Sequence, residues 1–289
     1  MSLFKRKPRN NRPENLIEVE EEFVQFLSEH TGEDYNTVRN AYMRARQAAD
    51  FSSKEFRDFG ETLNELYNPY LHDRTESSYI IAYQNNAYLD TLRYLGYSYP
   101  KKKTLRGYVR TAYKLAKKGE FGILKWKFNN FRKPAGEKLT LENMIQGPVT
   151  ILEYGAGPAN DSYRLAKKFP GSKVVLVDID SIATDFTEWR FKKHGIPVQS
   201  VRVTVGNEYP KLPPHDVCIA MNVMEHLHHP LKGFRNIDAA LKPGGLLYGN
   251  FEDQPAELFH VSPNLQVLRG AIQKAGYENV AFDTYRKPR

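Results

Sequence analysis

A carboxylate and two glycines stand together in the stretch ILEYGAGPAND, residues 151–161. Glu153 lies at the end of an apolar run, and Gly155 and Gly157 follow it. A glycine-rich turn after a strand lets the backbone approach a ligand closely, because glycine lacks a Cβ and tolerates a positive φ. Ligands of open α/β sheets bind at the carboxyl ends of the strands. The stretch therefore predicts a ligand site at such an edge.

The spacing of these residues argues against a dinucleotide. The dinucleotide fingerprint is G-x-G-x-x-G/A, and Asn160 occupies its last position here. Glu153 would repel a pyrophosphate but would accept hydrogen bonds from an amine. Asp178 lies within the run VDID, 21 residues beyond Gly157. An acid at the end of a second strand can accept both hydroxyls of a ribose. We therefore expect a ligand that carries an ammonium group and a ribose.

The elements that must position these residues follow from an alternation of patterns beyond Pro148. Five short apolar or β-branched runs are separated by helical stretches over residues 161–168, 181–194 and 230–241; the runs are VTILEY, KVVLVDI, VQSVRVTV, DVCIAMNV and GGLLYGNF. The run VLRGAIQKAGYENVAF adds a further helix and strand. This alternation predicts βαβ units and a parallel sheet over residues 146–289.

The chain before this region has a different character. Residues 1–15 are charged, contain proline and lack a period, so they indicate a disordered basic arm. Residues 16–145 show helical spacing from Leu16 onwards, and they predict an all-helical region that lies over the ligand pocket as a lid. Asp34 is the expected N-cap of one helix, Ser52 and Ser53 begin another, and residues 73–95 and 104–118 form two more.

Composition limits the classes of protein to which the chain can belong. Its 289 residues contain 42 Lys and Arg and 34 Asp and Glu, a net charge of +8, and a single cysteine, Cys218. One cysteine excludes a disulfide framework and fits a reducing compartment, and we expect a cytoplasmic protein without a transmembrane segment. Residues 101–138 hold 13 basic and 2 acidic residues, or +11. This segment indicates either an anionic partner or a solvated helix face.

Five motifs in order resemble those of class I S-adenosylmethionine-dependent methyltransferases. They are ILEYGAGPA, VDID, the segment VTVGNEYPKLPPHDVCIAMNVMEHLHHP, LKPGGLLYGN and HVSPNLQVLRGAIQKAGYENV, and they cover residues 148–282. The segment MNVMEHLHHP is similar to the "LEHL" helix of the small-molecule and glycan branch. The resemblance implies a Rossmann-like, doubly wound, seven-stranded and mostly parallel sheet. It also implies S-adenosyl-L-methionine as cofactor and S-adenosyl-L-homocysteine as product.

The same resemblance implies roles for four residues of the first two motifs. Glu153 would face the amino group of the methionine moiety, and Gly155 and Gly157 would let the backbone approach the cofactor. Asp178 would hold the ribose hydroxyls. Two other readings stay open, because either carboxylate could instead cap a neighbouring helix.

Further cofactor residues are implied by the later motifs. Ile179 would pack on the adenine, unless it is ordinary core. Asn207 stands where the family usually has an acid, and its side-chain oxygen can accept the adenine amine. The backbone N–H of Glu208 would meet the ring nitrogens, and Asn222 would lie near the sulfonium and its methyl group.

Histidines supply the candidates for acid–base chemistry. His226 would be a general base for a substrate hydroxyl, since its ordinary pKa lies near neutral, or a packed core histidine. His260, after the fifth strand, is the second base candidate or a plain loop residue. His226 and His229 can share a helix face, but two ligands are too few for a structural zinc site. We therefore expect no metal ion.

Two features that the motifs lack argue against nucleic-acid bases as the methyl acceptor. Methylation of base amino groups usually uses an (N/D/S)PP(Y/F) turn after strand four, where this chain reads NVME, and Cys218 lies inside a strand rather than in a reactive position. We expect methyl transfer to a hydroxyl of a small molecule or a glycan, with Tyr79 and Tyr83 as pocket walls or as packing residues. Two alternatives remain: a nucleic-acid methyltransferase that uses the basic, tyrosine-rich region, and a cofactor-binding protein without catalysis.

Overall fold

The computed structural model describes residues 14–48, 70, 73–97, 141–251, 253, 260–262, 264–281 and 283–289. Its helices are α1 (Glu14–Thr31), α2 (Tyr35–Ala48), α3 (Glu76–Tyr97), α4 (Leu141–Met144), α5 (Asn160–Lys168), α6 (Ile182–Lys193), α7 (Pro230–Ala240) and α8 (Gln266–Lys274). Residues 1–13 of the expected arm, the helix expected from Ser52 and the basic segment 101–138 lie outside the described residues. Helix α1 begins at residue 14, two residues before the expected start.

Seven strands form one sheet: β1 (Thr150–Tyr154), β2 (Lys173–Ile179), β3 (Val198–Val203), β4 (His215–Ile219), β5 (Leu241–Tyr248), β6 (Glu278–Ala281) and β7 (Thr284–Arg286). Their order is β3-β2-β1-β4-β5-β7-β6. Strands β1 to β5 pair in parallel, whereas β7 is antiparallel to both β5 and β6. The predicted doubly wound, mostly parallel fold is confirmed. The strand order reverses between β1 and β4, and such a switch point opens a crevice at the carboxyl ends of the strands.

Helices cover both faces of the sheet, which explains why the strands read as continuous apolar runs. Successive residues of β1 point to opposite faces, so Leu152 belongs to one core and Ile151 to the other. The first core includes Phe234 of α7 and Leu268 of α8, and the second includes Leu165 of α5, with Phe191 of α6. Cys218 is fully buried in β4, and burial raises the pKa of its thiol. The expectation of an inert core cysteine agrees with this position.

The first two helices dock on the outside of α6. Their apolar residues recur every three or four positions, which places them on one face of each helix. They form a third core with Phe186, whose ring lies 4.9 Å from that of Phe23 in an edge-to-face arrangement. The N-cap expected at Asp34 is confirmed, because its carboxylate accepts a hydrogen bond of 3.0 Å from the Thr37 N–H. Among the described helices, none has the length and hydropathy that a bilayer span requires.

Helix α3 lies across the carboxyl ends of the strands. Near its start, the carbonyl of Arg74 lies 3.1 Å from Nε2 of His228, and the Tyr209 hydroxyl donates to the Glu76 carboxylate. Further along, Nε2 of Gln84 donates to the carbonyl of Asp180 at 3.0 Å. These contacts join α3 to the segments that follow β2, β3 and β4. The helix is therefore held over the edge of the sheet where the glycine-rich turn lies.

Candidate active site

Two buried carboxylates stand at the ends of neighbouring strands. Glu153 of β1 pairs in register with Leu176 of β2, and Asp178 follows two residues later on β2. Their exposed fractions are only 8% and 9%. Burial raises the pKa of Glu153 to about 8, with the charges of Asp161 and Asp178 adding to the effect. Burial also raises the pKa of Asp178 to about 6. A cation or hydroxyl donors at this edge would offset the cost of ionising both groups.

Backbone N–H groups hold both carboxylates in place. Oε2 of Glu153 accepts a hydrogen bond of 3.0 Å from the N–H of Ser162, in the first turn of α5. The helix-capping role that the sequence left open for Glu153 is therefore present. Oδ2 of Asp178 accepts from the N–H of Gly157, and Oδ1 accepts from the N–H of Ile179 at 2.7 Å. Each carboxylate oxygen has a second lone pair, so these bonds leave room for a ligand.

The two glycines of the turn serve different needs. Both have a positive φ, of +68° at Gly155 and +47° at Gly157. A Cβ on Gly155 would lie 2.4 Å from Cγ2 of Val223, so the close approach at this glycine is to the segment after β4. A Cβ on Gly157 would meet no heavy atom within 4 Å. Open space for a ligand therefore lies beside Gly157, whereas Gly155 lets β1 pack tightly against its neighbour.

Buried residues of α6 and α1 support the glycine-rich turn, and their role was not predicted from the sequence. Oγ1 of Thr187 donates to the carbonyl of Gly157 at 2.7 Å, and the Arg190 guanidinium donates to Oδ1 of Asn160 at 2.9 Å. Nε of Arg190 also donates to the Glu22 carboxylate of α1 at 2.8 Å, and both side chains are almost fully buried. An arginine within a charged helical stretch usually indicates a solvated face. Only the docking of α1 reveals that Arg190 is buried.

The residues predicted to contact adenine lie after β2 and β3. Ile179 is half-buried at the end of β2. Asn207 is exposed in a tight turn, in which its N–H donates to the carbonyl of Thr204 at 2.9 Å. The Glu208 carboxylate accepts from the N–H of Gly206 at 2.8 Å, and this bond together with its own N–H lowers its pKa. The Glu208 N–H thus interacts with its own carboxylate, and its role toward the ring nitrogens remains a prediction.

An asparagine pair joins the ends of β4 and β5. Asn222 has a φ of +52°, and its N–H donates to Oδ1 of Asn250 at 2.6 Å. Nδ2 of Asn250 donates in return to Oδ1 of Asn222 at 2.6 Å. Asn222 therefore lies at the end of β4 as expected, and the pair fixes its side chain. Asn250 was not predicted from the sequence, although an asparagine shortly after each of two neighbouring strands is a pattern that indicates such a pair.

The two histidines predicted as base candidates lie side by side. The rings of His226 and His260 have centroids 5.0 Å apart and an interplanar angle of 69°. Glu225 joins them, and one ligand atom from each of the three residues lies within 4.8 Å of the others. Glu225 is only 2% exposed. The segments are tied together because the Ser262 N–H donates to the carbonyl of Glu225 at 2.9 Å.

The tyrosines predicted to line the acceptor pocket lie on α3. The Tyr79 ring packs edge-to-face with those of Tyr70 and His228, at centroid distances of 5.2 and 6.3 Å. The packing role that the sequence left open for Tyr79 is therefore present. Tyr83 lies one turn further along the same helix and is half-buried.

The buried carboxylates fit a ligand with an ammonium group and a ribose. Burial raises the pKa values of Glu153 and Asp178, because it removes their carboxylates from water. A positive group or a hydroxyl donor beside either carboxylate would therefore stabilise its ionised form. The open side of the turn is at Gly157, whose N–H already orients Asp178. The fit therefore rests on charge, burial and space at the carboxyl ends of β1 and β2.

Comparison with known proteins agrees with this fit. Residues 152–247 match the family model described as a methyltransferase domain. A curated relative, the trans-aconitate 2-methyltransferase of Rhodopseudomonas palustris (strain BisA53), is 26% identical over 138 residues, which are 47% of this chain and 51% of the relative. The chain thus spans about half the length of the curated relative that it matches.

Solved structures with similar folds were also found. The 1,6-didemethyltoxoflavin-N1-methyltransferase of Burkholderia thailandensis has a TM-score of 0.41 and 17% identity, covering 52% of this chain and 75% of that chain. TehB from Haemophilus influenzae has a TM-score of 0.39 and 17% identity, covering 47% and 48%. The family match over residues 152–247 and the topology of the sheet both support a class I S-adenosylmethionine-dependent methyltransferase domain in this chain.

Proposed function

We propose that this chain transfers a methyl group from S-adenosylmethionine to a hydroxyl of a small molecule or a glycan. The observation that carries the proposal is the pair of buried carboxylates, Glu153 and Asp178, beside the open turn at Gly157. The curated relative is named for a small-molecule acceptor, trans-aconitate. This name supports an acceptor of similar size.

The cofactor supplies a methyl group that its sulfonium already activates, so positioning provides most of the catalysis. Glu153 would hold the amino group, and Asp178 would accept hydrogen bonds from the ribose hydroxyls. The backbone beside Gly157 leaves space for the cofactor, and Ile179 would pack on the adenine. Asn207 and the Glu208 N–H would lie at the adenine edge.

The acceptor would bind where the segments after β4 and β5 meet. Asn222 is fixed there by Asn250, and the rings of His226 and His260, which follow the same two strands, lie against each other. A group at this position can take the proton that the acceptor hydroxyl must lose. In-line displacement then joins the acceptor oxygen to the methyl carbon while the carbon–sulfur bond breaks.

Helix α3 would cover the pocket as part of the lid predicted for residues 16–145. It is held at the segment after β2 through Gln84 and at the segments after β3 and β4 through Glu76 and Arg74. Excluding water strengthens electrostatic interactions at a methyl-transfer site. Tyr83, which is half-buried on this helix, is the proposed wall residue of the acceptor pocket.

Calorimetry with S-adenosylhomocysteine tests the cofactor site. The intact chain should bind it, and absence of binding would refute the proposal. Transfer is tested by mixing the protein with cell extract and methyl-tritiated S-adenosylmethionine, then separating small molecules, glycans, nucleic acids and protein. Label in the small-molecule or glycan fraction supports the proposed acceptor class. Label in RNA or DNA would favour a nucleic-acid methyltransferase, and binding without label would favour a non-catalytic protein.

A further inference from the structure

We propose that Glu225, His226 and His260 form a binding site for one divalent transition-metal ion. Their ligand atoms lie within 4.8 Å of one another. From the sequence we expected no metal ion, because His226 and His229 on one helix face supply only two ligands. The structure instead brings His226 together with its neighbour Glu225 and with His260, which is 34 positions away in the sequence.

The three side chains come from two segments that are fixed relative to each other. Glu225 and His226 lie in the short helical turn Met224–His226 after β4, whereas His260 lies after β5. A hydrogen bond of 2.9 Å from the Ser262 N–H to the Glu225 carbonyl joins these segments close to the cluster. The two imidazole rings are inclined at 69° with centroids 5.0 Å apart, so they lie edge to face rather than stacked. A preformed ligand set of this kind needs little rearrangement to bind an ion.

The distances suit a small cation after a modest adjustment of the side chains. An ion that is about 2.1 Å from each ligand atom needs those atoms roughly 3 to 4 Å apart. Rotations about the side-chain torsions of the half-buried His226 and His260 can supply movements of that size. Glu225 is almost fully buried, so water has little access to its carboxylate. A cation beside a buried carboxylate offsets the cost of removing that charge from water.

A second cluster shows why a short distance alone is not enough. Glu18, Glu22 and His194 also lie within 4.8 Å of one another. There, however, Glu22 already forms an ion pair with the buried Arg190 at 2.8 Å and lies 4.0 Å from Nζ of Lys193. These protein cations already neutralise the carboxylate. We therefore assign no ion to the second cluster.

The ligand set of two histidines and a carboxylate indicates which metal ions can bind and whether the site is catalytic or structural. Imidazole nitrogen favours Zn²⁺, Mn²⁺ or Fe²⁺ over Mg²⁺, which prefers oxygen ligands. Three protein ligands leave open positions, as at catalytic rather than structural sites. A substrate with two adjacent oxygens, such as a vicinal diol or a hydroxy acid, could occupy them. This substrate class rests on the proposed function, whereas the metal site itself does not.

The ion would replace a general base in the proposed reaction. A hydroxyl bound to a divalent ion loses its proton to solvent more readily, because the positive charge stabilises the alkoxide. The acceptor oxygen then bonds to the methyl carbon, and the electron pair of the broken carbon–sulfur bond stays on sulfur. No electron is lost or gained, so the metal keeps its charge throughout. His226 and His260 would then act as ligands and not as bases.

Metal binding is tested on the full chain without cofactor or acceptor. Protein stripped with a chelator and then dialysed against Mn²⁺ or Zn²⁺ should retain one ion per chain, measured by mass spectrometry of the metal. His226→Ala and His260→Ala should each weaken binding at least tenfold, and Mg²⁺ should bind more weakly than Mn²⁺. His229→Ala, an exposed histidine outside the cluster, is the matched control and should bind like the native chain.

A Co²⁺ spectrum gives a second readout, because its visible absorption reports on nitrogen and oxygen ligands. The spectrum of the native chain should change in His260→Gln, a polar variant at a half-buried position whose fold is checked by circular dichroism. Absence of a stoichiometric ion, or equal binding by the His226→Ala/His260→Ala double variant, would overturn the site. Absence of methyl transfer with normal metal binding would instead count against the proposed function alone.

Discussion

The two halves of the active-site edge are built from different kinds of contact. On the proposed cofactor side, backbone N–H groups from the adjoining turn and helix hold Glu153 and Asp178. On the proposed acceptor side, side chains make the contacts between distant segments: the Asn250 side chain bonds to the N–H and the side chain of Asn222, and the His226 ring lies against that of His260. The first arrangement is set by a short stretch of chain. The second exists only when β4, β5 and the following segments have come together.

This difference indicates how well each half of the active-site edge tolerates substitution of its side chains. Backbone bonds depend on the turn and strand geometry, so they persist through many changes of side chain. Side-chain pairs change with single substitutions. We therefore expect substitutions on the cofactor side to abolish binding outright, and those on the acceptor side to alter transfer while cofactor binding remains.

Asp178→Ala should have the largest effect, a loss of affinity for the cofactor. It removes a carboxylate that would bind both ribose hydroxyls and that also orients the N–H of Gly157. Losing charged hydrogen bonds of this number should weaken S-adenosylhomocysteine binding by more than about 1,000-fold, or about 4 kcal/mol. Calorimetry measures the affinity, and circular dichroism checks the fold. His260→Ala on the acceptor side is the comparison and should retain S-adenosylhomocysteine binding within about tenfold. Equal losses of affinity in the two variants would refute the division into halves.

Arg190→Met tests whether the cofactor half depends on the helical extension. The substitution leaves Glu22 buried without its main cation and removes the bond to Asn160 of the turn. Breaking one partner of a buried pair should lower the free energy of unfolding by about 3 kcal/mol, measured by urea denaturation. Glu22→Gln combined with Arg190→Met should recover part of the loss, because no buried charge remains. Lys192→Met, in an exposed pair with Glu188, should change stability by less than about 0.5 kcal/mol.

The stability of the unliganded protein should depend on pH through Glu153. Its folded-state pKa of about 8 lies above the ordinary 4.5, so the folded chain binds more protons than the unfolded chain between these values. The free energy of unfolding should therefore fall as pH rises from 6 to 8, by about 1 kcal/mol per pH unit. Asp178, with a pKa of about 6, adds to the fall only at lower pH.

Glu153→Gln isolates this contribution, because the amide cannot ionise. Urea denaturation at pH 6, 7 and 8 should show a flatter dependence for the variant than for the native chain. Glu208→Gln is the control: hydrogen bonds lower the pKa of Glu208, so it is ionised throughout this range. An unchanged slope in Glu153→Gln would mean that Glu153 is ionised in the folded protein without a ligand.

The sequence predicted the parts of the molecule that are encoded locally. The alternation of apolar runs predicted the fold, and the spacing of Glu153, Gly157 and Asp178 predicted residues that do meet at the edge of the sheet. Their contacts lie within one βαβ unit, so a short stretch of chain contains the information. The helix capping by Glu153 was also readable as an alternative.

The contacts missed were those that join segments far apart in the sequence. Arg190 looks like a surface residue until α1 brings Glu22 to it, across 168 positions. Gly155 also makes room for Val223, a contact that the sequence does not reveal, and its role toward the cofactor stays a prediction. The grouping of Glu225 with His260 likewise depends on how the segments after β4 and β5 meet. Residue types and their spacing along the chain do not indicate which distant segments will contact each other.

The smallest effect is expected from removing one of two tyrosine–glutamate hydrogen bonds. Tyr209 donates to Glu76 and so ties α3 to the sheet edge, whereas Tyr35 donates to Glu21 on the exposed outer side of the helical extension. Tyr209→Phe should lower the free energy of unfolding by about 1 kcal/mol, because the bond reaches a carboxylate in a partly buried place. It should also weaken cofactor binding a few-fold, since α3 would no longer be held over the pocket.

Tyr35→Phe removes the same type of bond away from the sheet, so it should cost less than about 0.5 kcal/mol and leave cofactor affinity unchanged. Urea denaturation and calorimetry on both variants give the comparison. If both variants lose stability but neither loses affinity, α3 stabilises the fold without covering the site. If only Tyr209→Phe loses affinity, the position of α3 contributes to binding, because each variant removes a tyrosine hydroxyl that donates to a glutamate. Tyr209→Phe also removes the acceptor of the His229 N–H.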